Sequence, residues 1–270
     1  MINMSKSEDL KAARGVSPRP GEASVLGRMS LVLNAFSVSR PALTVEEVAQ
    51  LIGASEATAY RYLGELCESG LLSRRTGLYV LGPKVIELEF IIRSCDPIMH
   101  ASEDVLRRLA ETTGCNVLLC NIYNETIVNV FHAVGREPLD LIFTRGRPMP
   151  LFRGSQARAI LSVLDRRQLK RIFERHEGDP DLKRIAANWD EFKALLQETR
   201  RRGYYISRNE LDPDVTGIAA PVFDRDRTAL GSLVLAYSSS RPPPISEKAL
   251  AQIVVDTAQT LSGGDGSASN

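Results

Sequence analysis

Cysteine is scarce in this chain, with four in 270 residues, Cys67, Cys95, Cys115 and Cys120, and no C-x-x-C pair among them. Cys115 and Cys120 are an odd number of positions apart in a strand-like run, so they point to opposite faces. That spacing argues against a shared metal site and for buried free thiols. The three histidines, His100, His132 and His176, are scattered without an H-x-x-x-H spacing. G-x-S-x-G, a P-loop and G-x-G-x-x-G are all missing, so the sequence offers no catalytic residue, no metal ligand set and no cofactor motif. No apolar run is long enough to span a membrane, and the opening MINMSKSEDLKAARGVSPRP has no signal-peptide core, which sets a cytoplasmic expectation. A dominant charge sign is lacking too. The net charge is +1, and residues 1–82 carry nine Lys/Arg against eight Asp/Glu. Any nucleic-acid binding must therefore rest on local placement of charge.

What remains is ordinary globular composition, 43% hydrophobic and 25% charged, in a chain long enough for two modest domains. Residues 1–22 have no apolar period and read as an arm carrying Lys11, Arg14 and Arg19; residues 263–270, ending in SASN, read as a loose tail. Between them the pattern is helical at first. Ser24 is a plausible N-cap for a helix with Val25, Met29, Val32, Leu33 and Phe36 on one face. Thr44 and Glu47 form a capping box for a second helix, whose apolar face is Val45, Val48, Ala49 and Ile52. Gly53 ends it. Ser55 or Thr58 starts a third helix that buries Ala59, Leu63, Leu66 and Cys67, and Gly70 closes it. LLSRR, a TG turn and LYVL then form a hairpin. Three helices followed by a hairpin is the order of a winged helix-turn-helix over residues 23–82.

A helix over 83–96 carries Val85, Leu88, Ile91 and Ile92, an apolar stripe too exposed for a lone linker; it predicts a dimer surface. Asp96 and Pro97 restart the chain as N-cap and first helical residue. Beyond Gly114, strand-like runs NVLLCNIY, TIVNVFHAV, DLIF, YYIS, TGIAAPVF and LGSLVLAY alternate with helices near 157–164, 168–176 and 189–202, and a last helix covers 246–261. Residues 97–262 are thus expected to form an α+β domain with a mostly antiparallel sheet.

In a winged helix the third helix reads bases from its first turns, while the first helix and the wing touch phosphates. Ser55, Thr58 and Arg61 project from that end, Tyr60 reaches a phosphate or a thymine methyl, and Glu56 either reads a cytosine amino group or faces away. Arg28 on the first helix, Thr44 at the start of the second, and Arg74 and Arg75 on the wing complete the candidate DNA face. The bland alternative is a protein-contact module whose arginines are simply solvated.

The segments SVLGRMSLVLNAFS, LTVEEVAQLIGASEATAYRYLGELCESGLL, YVLGPKVIEL, GRPMPLFRGSQARAIL, RRGYYISRNE and GIAAPVFDRDRTALGSLVLAYS together resemble the IclR family of bacterial transcription regulators, from Ser24 to Leu261. The resemblance implies a homodimer or dimer of dimers, double-stranded DNA with a near-palindromic operator as partner, and a GAF-like effector-binding domain. It departs from the family pattern at Glu56, Ala57 and the Ala157-Arg158-Ala159 triplet. Positions that are polar in acid-binding relatives correspond here to Gly217, Val234 and Ala236, which implies a less polar pocket. In MPLFRGSQARAI, Gly154 and Ser155 open a helix whose N–H groups suit a carboxylate, with Gln156 beside them. Arg153 or Arg158 would add a salt bridge; Met149, Phe152, Val234 and Ala236 would supply apolar wall. A small carboxylate, aromatic ones included, is the expected effector. Asn129, His132, Arg208 and Glu210 are further possible pocket polars. The alternatives are an architectural DNA binder without effector and, less favoured, an enzyme.

Overall fold

The computed structural model describes residues 24–95 and 97–263, with side chains omitted for 97–102; the expected N-terminal arm, the Asp96 cap and the tail beyond Gly263 lie outside the described residues. Two compact units divide between Cys95 and Pro97. Among the described residues no helix is long and apolar enough to cross a membrane.

The first unit begins with α1 (Val25–Asn34), capped by Ser24, whose side chain accepts the Gly27 N–H. β1 (Ala42–Leu43) follows, then α2 (Val45–Ile52) and α3 (Glu56–Glu68). Thr44 and Glu47 form the reciprocal capping box, and the Thr44 N–H and Arg40 hold the Glu47 carboxyl below its usual range. Val32, Val48, Ile52, Ala59 and Leu63 are fully sealed in one core. Two details differ from expectation. Val25 is 54% exposed, leaving Leu31 and Val32 as the buried residues of α1. Tyr62, not expected inside, is buried beside Leu63. β2 (Leu72–Arg75) and β3 (Leu78–Leu81) form the hairpin, turning through Thr76 and Gly77 with φ of 48° and 84°. Two left-handed residues make a turn whose twist matches that of the strands. β1 pairs with β3 and extends the wing to three strands, a pairing two residues are too short to announce. α4 (Pro83–Cys95) ends the unit with no buried residue.

The second unit opens with α5 (Pro97–Thr113) and holds a six-stranded sheet of order β6-β5-β4-β9-β8-β7, every pairing antiparallel. Its strands are β4 (Asn116–Tyr123), β5 (Thr126–Ala133), β6 (Pro148–Met149), β7 (Tyr205–Arg208), β8 (Val215–Phe223) and β9 (Ala229–Ser238). Side chains alternate between faces. Val117, Leu119, Ile218, Leu233 and Leu235 pack with α5 and α10 (Glu247–Gly263), whereas Leu118, Cys120, Ala219, Val234 and Ala236 pack with α6 (Ser155–Val163). Cys115 and Cys120 are free thiols in these two separate clusters, and burial pushes the Cys120 thiol up to about 12. A register shift opposite Leu119 and Cys120 turns β5 over, so Ile127 faces α6 while Phe131 and Ala133 face the other layer. Outside α6 lie α7 (Arg166–Arg175), α8 (Pro180–Ile185) and α9 (Trp189–Arg202), around an aromatic cluster of Phe152, Phe173, Trp189 and Phe192. α8 was not expected. The run DLIF is not a strand: residues 140–143 belong to an irregular segment whose Ile142 N–H donates to Asp212 Oδ1 at 2.8 Å. A side chain from a distant loop has taken the donor that a ladder would have used.

Candidate functional site

On α3 the packed face is Ala59, Tyr62, Leu63 and Leu66, and the open face carries Glu56, Tyr60 and Arg61. Arg61 stands with its guanidinium carbon 5.3 Å from the Tyr62 ring centroid. A buried ring thus steadies a charge that points outward. Ser55 and Thr58 serve the helix itself: the Ser55 hydroxyl accepts the Thr58 N–H at 3.4 Å and lies 3.1 Å from the Thr58 hydroxyl. The Thr44 hydroxyl is likewise engaged, accepting the Glu47 N–H. Arg28 is half-buried, not splayed from the polar side of α1. Arg74 and Arg75 are exposed at the wing, with Arg74 Cζ 5.8 Å from the Tyr79 ring. Glu46 and Glu56 both border the α2–α3 turn. The first turn of α3 is therefore acidic, and positive charge enters one turn later at Arg61. The exposed cations of this unit's candidate DNA face are thus Arg61 on α3 and Arg74 and Arg75 on the wing.

In the second unit, α6 is buried along residues 155–162, including the polar Ser155, Gln156, Arg158 and Ser162. Such a helix needs internal partners for each polar group. Gly154 has φ 91° and ψ 161°, a region essentially restricted to glycine, and its N–H donates to Glu210 Oε2 at 2.8 Å. The Ser155 N–H donates to Ser207 Oγ at 3.1 Å. The Tyr205 hydroxyl donates to Glu210 Oε1 at 3.0 Å, and Arg158 Cζ lies 4.8 Å from the Tyr205 ring centroid. Burial pushes the Tyr205 phenol up and the Arg158 guanidinium down. The helix N-terminus thus does hold a carboxylate, but it is the chain's own Glu210.

Beside this network is a small half-open cavity of about 40 Å³ that opens to solvent. Of the expected effector residues, Ser155, Gln156, Gly217, Val234 and Ala236 line it. Gly217 leaves space there: a Cβ at this position would meet Ser155 Oγ at 2.7 Å. Four others do not line it. Phe152 packs edge-on against Phe192 and His176 in the outer cluster, drawn away by an apolar neighbourhood larger than the cavity wall. Arg153 forms an ion pair with Asp181 at 3.5 Å. Gly154 gives its N–H to Glu210, and Met149 contacts Cys120, sulfur to sulfur, at 3.5 Å. Arg158, the alternative salt-bridge donor, is held by Tyr205. Asn129 donates to the Phe143 carbonyl, His132 bonds Asn116 and Arg208 pairs with Glu247, so these three also serve elsewhere. Burial pushes the His132 imidazole down.

The rest of the lining was not anticipated: Leu118, Leu141, Phe143, Ser207, Leu211, Asp212 and Val215. Alternation on β4 offered a signal for Leu118, since it shares a face with Cys120. Leu141 and Phe143 were hidden by the misread strand.

Two family models match the chain: "Bacterial transcriptional regulator IclR C-terminal" over residues 92–263 and "IclR helix-turn-helix domain" over residues 25–76. Among curated proteins the chain is similar to the HTH-type transcriptional regulator KipR of Bacillus subtilis, 28% identical over 83% of this chain and 92% of that one. It is also similar to KdgR of Escherichia coli, 24% identical over 87% and 89% of the two chains. Among solved structures, an IclR-type regulator from Alicyclobacillus acidocaldarius shares the fold with a TM-score of 0.72 at 22% identity, over 91% of this chain and 100% of that one. An IclR homolog from Microbacterium hydrocarbonoxydans, solved with 4-hydroxybenzoate, shares it with a TM-score of 0.70 at 19% identity, over 89% and 98%.

Proposed function

Since the chain belongs to the IclR family of bacterial transcriptional regulators, we propose that it is a one-component switch: a dimer, or dimer of dimers, that binds a near-palindromic operator in the cytoplasm and releases or tightens on it when a small effector enters the cavity beside α6. One observation carries this reading: a helix-turn-helix with an outward arginine and a half-open cavity beside a buried helix N-terminus occur in one chain. The regulated genes would be a catabolic operon.

The effector we favour is a small carboxylate, aromatic ones included. A family member holding 4-hydroxybenzoate supports an aromatic acid, as do the mostly apolar walls. The internal Glu210 carboxylate supports the acid group, because it already accepts the Gly154 N–H at the α6 N-terminus, where the helix dipole favours an anion. An entering carboxylate would compete with Glu210 for the Gly154 N–H. Exchange of one carboxylate for another is close to balanced, so the site would answer to ligand concentration. Release of Glu210 would also loosen its bond to Tyr205 and so move the β7–β8 connection. For this to regulate, effector and DNA must each prefer one arrangement of the dimer.

Glu210→Gln keeps an acceptor for the Gly154 N–H but removes the competing charge, and charge-assisted bonds are about twice as strong as neutral ones. The variant should bind 4-hydroxybenzoate about tenfold more tightly than the parent, a gain worth about 1.4 kcal/mol, read by thermal shift and calorimetry. If no aromatic or aliphatic carboxylate in a panel raises the melting temperature of either protein, the effector reading fails and an architectural DNA binder replaces it.

The dimer surface would be α4, where Ile86 is 73%, Phe90 60% and Ile92 59% exposed. Full burial of one such side chain contributes about 1.5–3 kcal/mol. Ile92→Glu should raise the dimer dissociation constant at least about tenfold in sedimentation at low concentration. A variant that stays dimeric would remove α4 from the interface.

A further inference from the structure

The outer face of α7 carries Arg166, Arg167, Lys170 and Arg171, all exposed. This is an expensive arrangement for a helix. Arg166 with Lys170, and Arg167 with Arg171, are like charges four residues apart, a spacing that destabilises helices. Arg166 and Arg167 also sit in the first turn, where the helix dipole disfavours cations, and the one carboxylate at this helix start, the N-cap Asp165, is engaged by the Gln168 N–H. Elsewhere on this unit several exposed arginines are paired, Arg107 with Glu103, Arg175 with Glu125, Arg201 and Arg202 with Glu198, and Arg208 with Glu247. Arg108, Arg136, Arg200 and Arg225 are exposed without an ion pair among the described residues; what marks α7 is that its cations share one face. Among the described residues Lys170 reaches Glu174 at 3.7 Å, while Arg166, Arg167 and Arg171 have no carboxylate partner. The apolar residues of α7 are turned inward, with Leu169 and Ile172 buried and Phe173 packed against Trp189 and Phe192.

We propose that this face of α7 binds the phosphate backbone of double-stranded DNA outside the helix-turn-helix contact. Charge complementarity selects the occupant. A protein partner is recognised through apolar and aromatic anchors, with arginine enriched around them, and this face offers the arginines without any such anchor. Phosphates need only cations and N–H donors, which four long basic side chains within two turns supply. The chain already has a polyanionic partner, so a second weak contact on the same duplex gains from proximity without needing affinity of its own. The contact is independent of sequence and of the effector. It would lengthen the DNA footprint beyond the operator and make binding steeper in salt.

The test uses the full chain with mixed-sequence duplexes of two lengths, titrated by fluorescence anisotropy across a salt series. Each lost phosphate contact lowers the slope of log K against log salt by about 0.9. The double variant Arg167→Ala/Arg171→Ala should lower it by about 1.8 per protomer on a 60-base-pair duplex, and weaken binding about tenfold at low salt relative to the parent. On a 20-base-pair duplex, too short for a contact outside the helix-turn-helix, the difference should shrink. Arg201→Ala/Arg202→Ala removes the same charge from a paired site and should leave the slope unchanged. An unchanged slope for the α7 variant overturns the proposal, as does an equal fall in the α9 control, which would reduce the effect to net charge. An Arg61→Ala variant assayed alongside reports on the helix-turn-helix separately.

Discussion

Arg61→Ala should bind its operator ten- to a hundredfold more weakly than the parent while its melting temperature and effector response stay nearly unchanged. The range follows from the chemistry of base reading, in which a good bidentate arginine contact is worth about 1–3 kcal/mol of discrimination. It also follows from position. Arg61 is on the open side of α3, and its guanidinium rests over the buried Tyr62 ring rather than in an ion pair. Truncation therefore removes one contact with the core, the guanidinium over the Tyr62 ring, worth about 0.5–1 kcal/mol at an exposed site, which the higher helix propensity of alanine partly offsets. The acidic start of α3 sharpens the expectation. With Glu56 exposed at the first position of the helix and Glu46 across the turn, Arg61 is the first cation along this helix. Ser55→Ala offers a contrast within the same turn, because its hydroxyl caps the helix; its loss should appear chiefly as stability, about 1 kcal/mol. Operator fragments selected from genomic DNA by the parent protein, followed by gel shift, make the comparison. Equal affinity of Arg61→Ala and parent would remove Arg61 from the reading surface.

The local signals in this sequence were legible wherever the partner of each group is a near neighbour. Ser24, the Thr44–Glu47 box and Ser55 all bond within three residues, and all three helix starts could be placed from spacing alone. The apolar face of α2 was recoverable for the same reason. Legibility failed where a distant residue intervenes. Residues 140–143 have strand composition, but Asp212 captures the Ile142 N–H across seventy positions. The N–H groups of Gly154 and Ser155 have the anion-binding geometry of a helix start, yet Ser207 and Glu210, more than fifty positions away, satisfy them. Arg153 lies next to the cavity helix in sequence and points to Asp181 in space. The side of β5 that faces α6 depends on one register shift, which no alternation pattern encodes because the extra residue resets the period. A resemblance to known regulators supplied the positions on β8 and β9 that periodicity alone would have left as core.

Gly231→Ala should lower the melting temperature of the second unit by about 10 °C and blunt any effector response. Gly231 is in β9 opposite Asn121 of β4, and a Cβ there would lie 1.8 Å from the Cys120 carbonyl oxygen and 2.9 Å from the Asn121 Cα. The obstacle is backbone, not the free end of a side chain. Neither strand can give way: β4 and β9 are the two central strands, held by β5 and β8 on their far sides. Relief requires β4 and β9 to part, with loss of ladder bonds next to the register shift at Val222 and Phe223. Overpacking typically costs about 1–3 kcal/mol; a backbone clash in the two central strands belongs at the upper end, and for a domain of this size each kcal/mol is about 2–4 °C. The effector consequence comes from position on the same two strands. Leu118 of β4 pairs with Val234 of β9 and both line the cavity, three positions from the clash. A shift at Gly231 is carried along paired strands to that wall, while Ser155 and Gln156 on α6 stay where their own bonds hold them. Calorimetric scanning of parent and variant, with and without 4-hydroxybenzoate, reads both effects at once. A variant that melts with the parent would mean that the central strands separate at little cost, and the close approach at Gly231 would then be a feature without energetic weight.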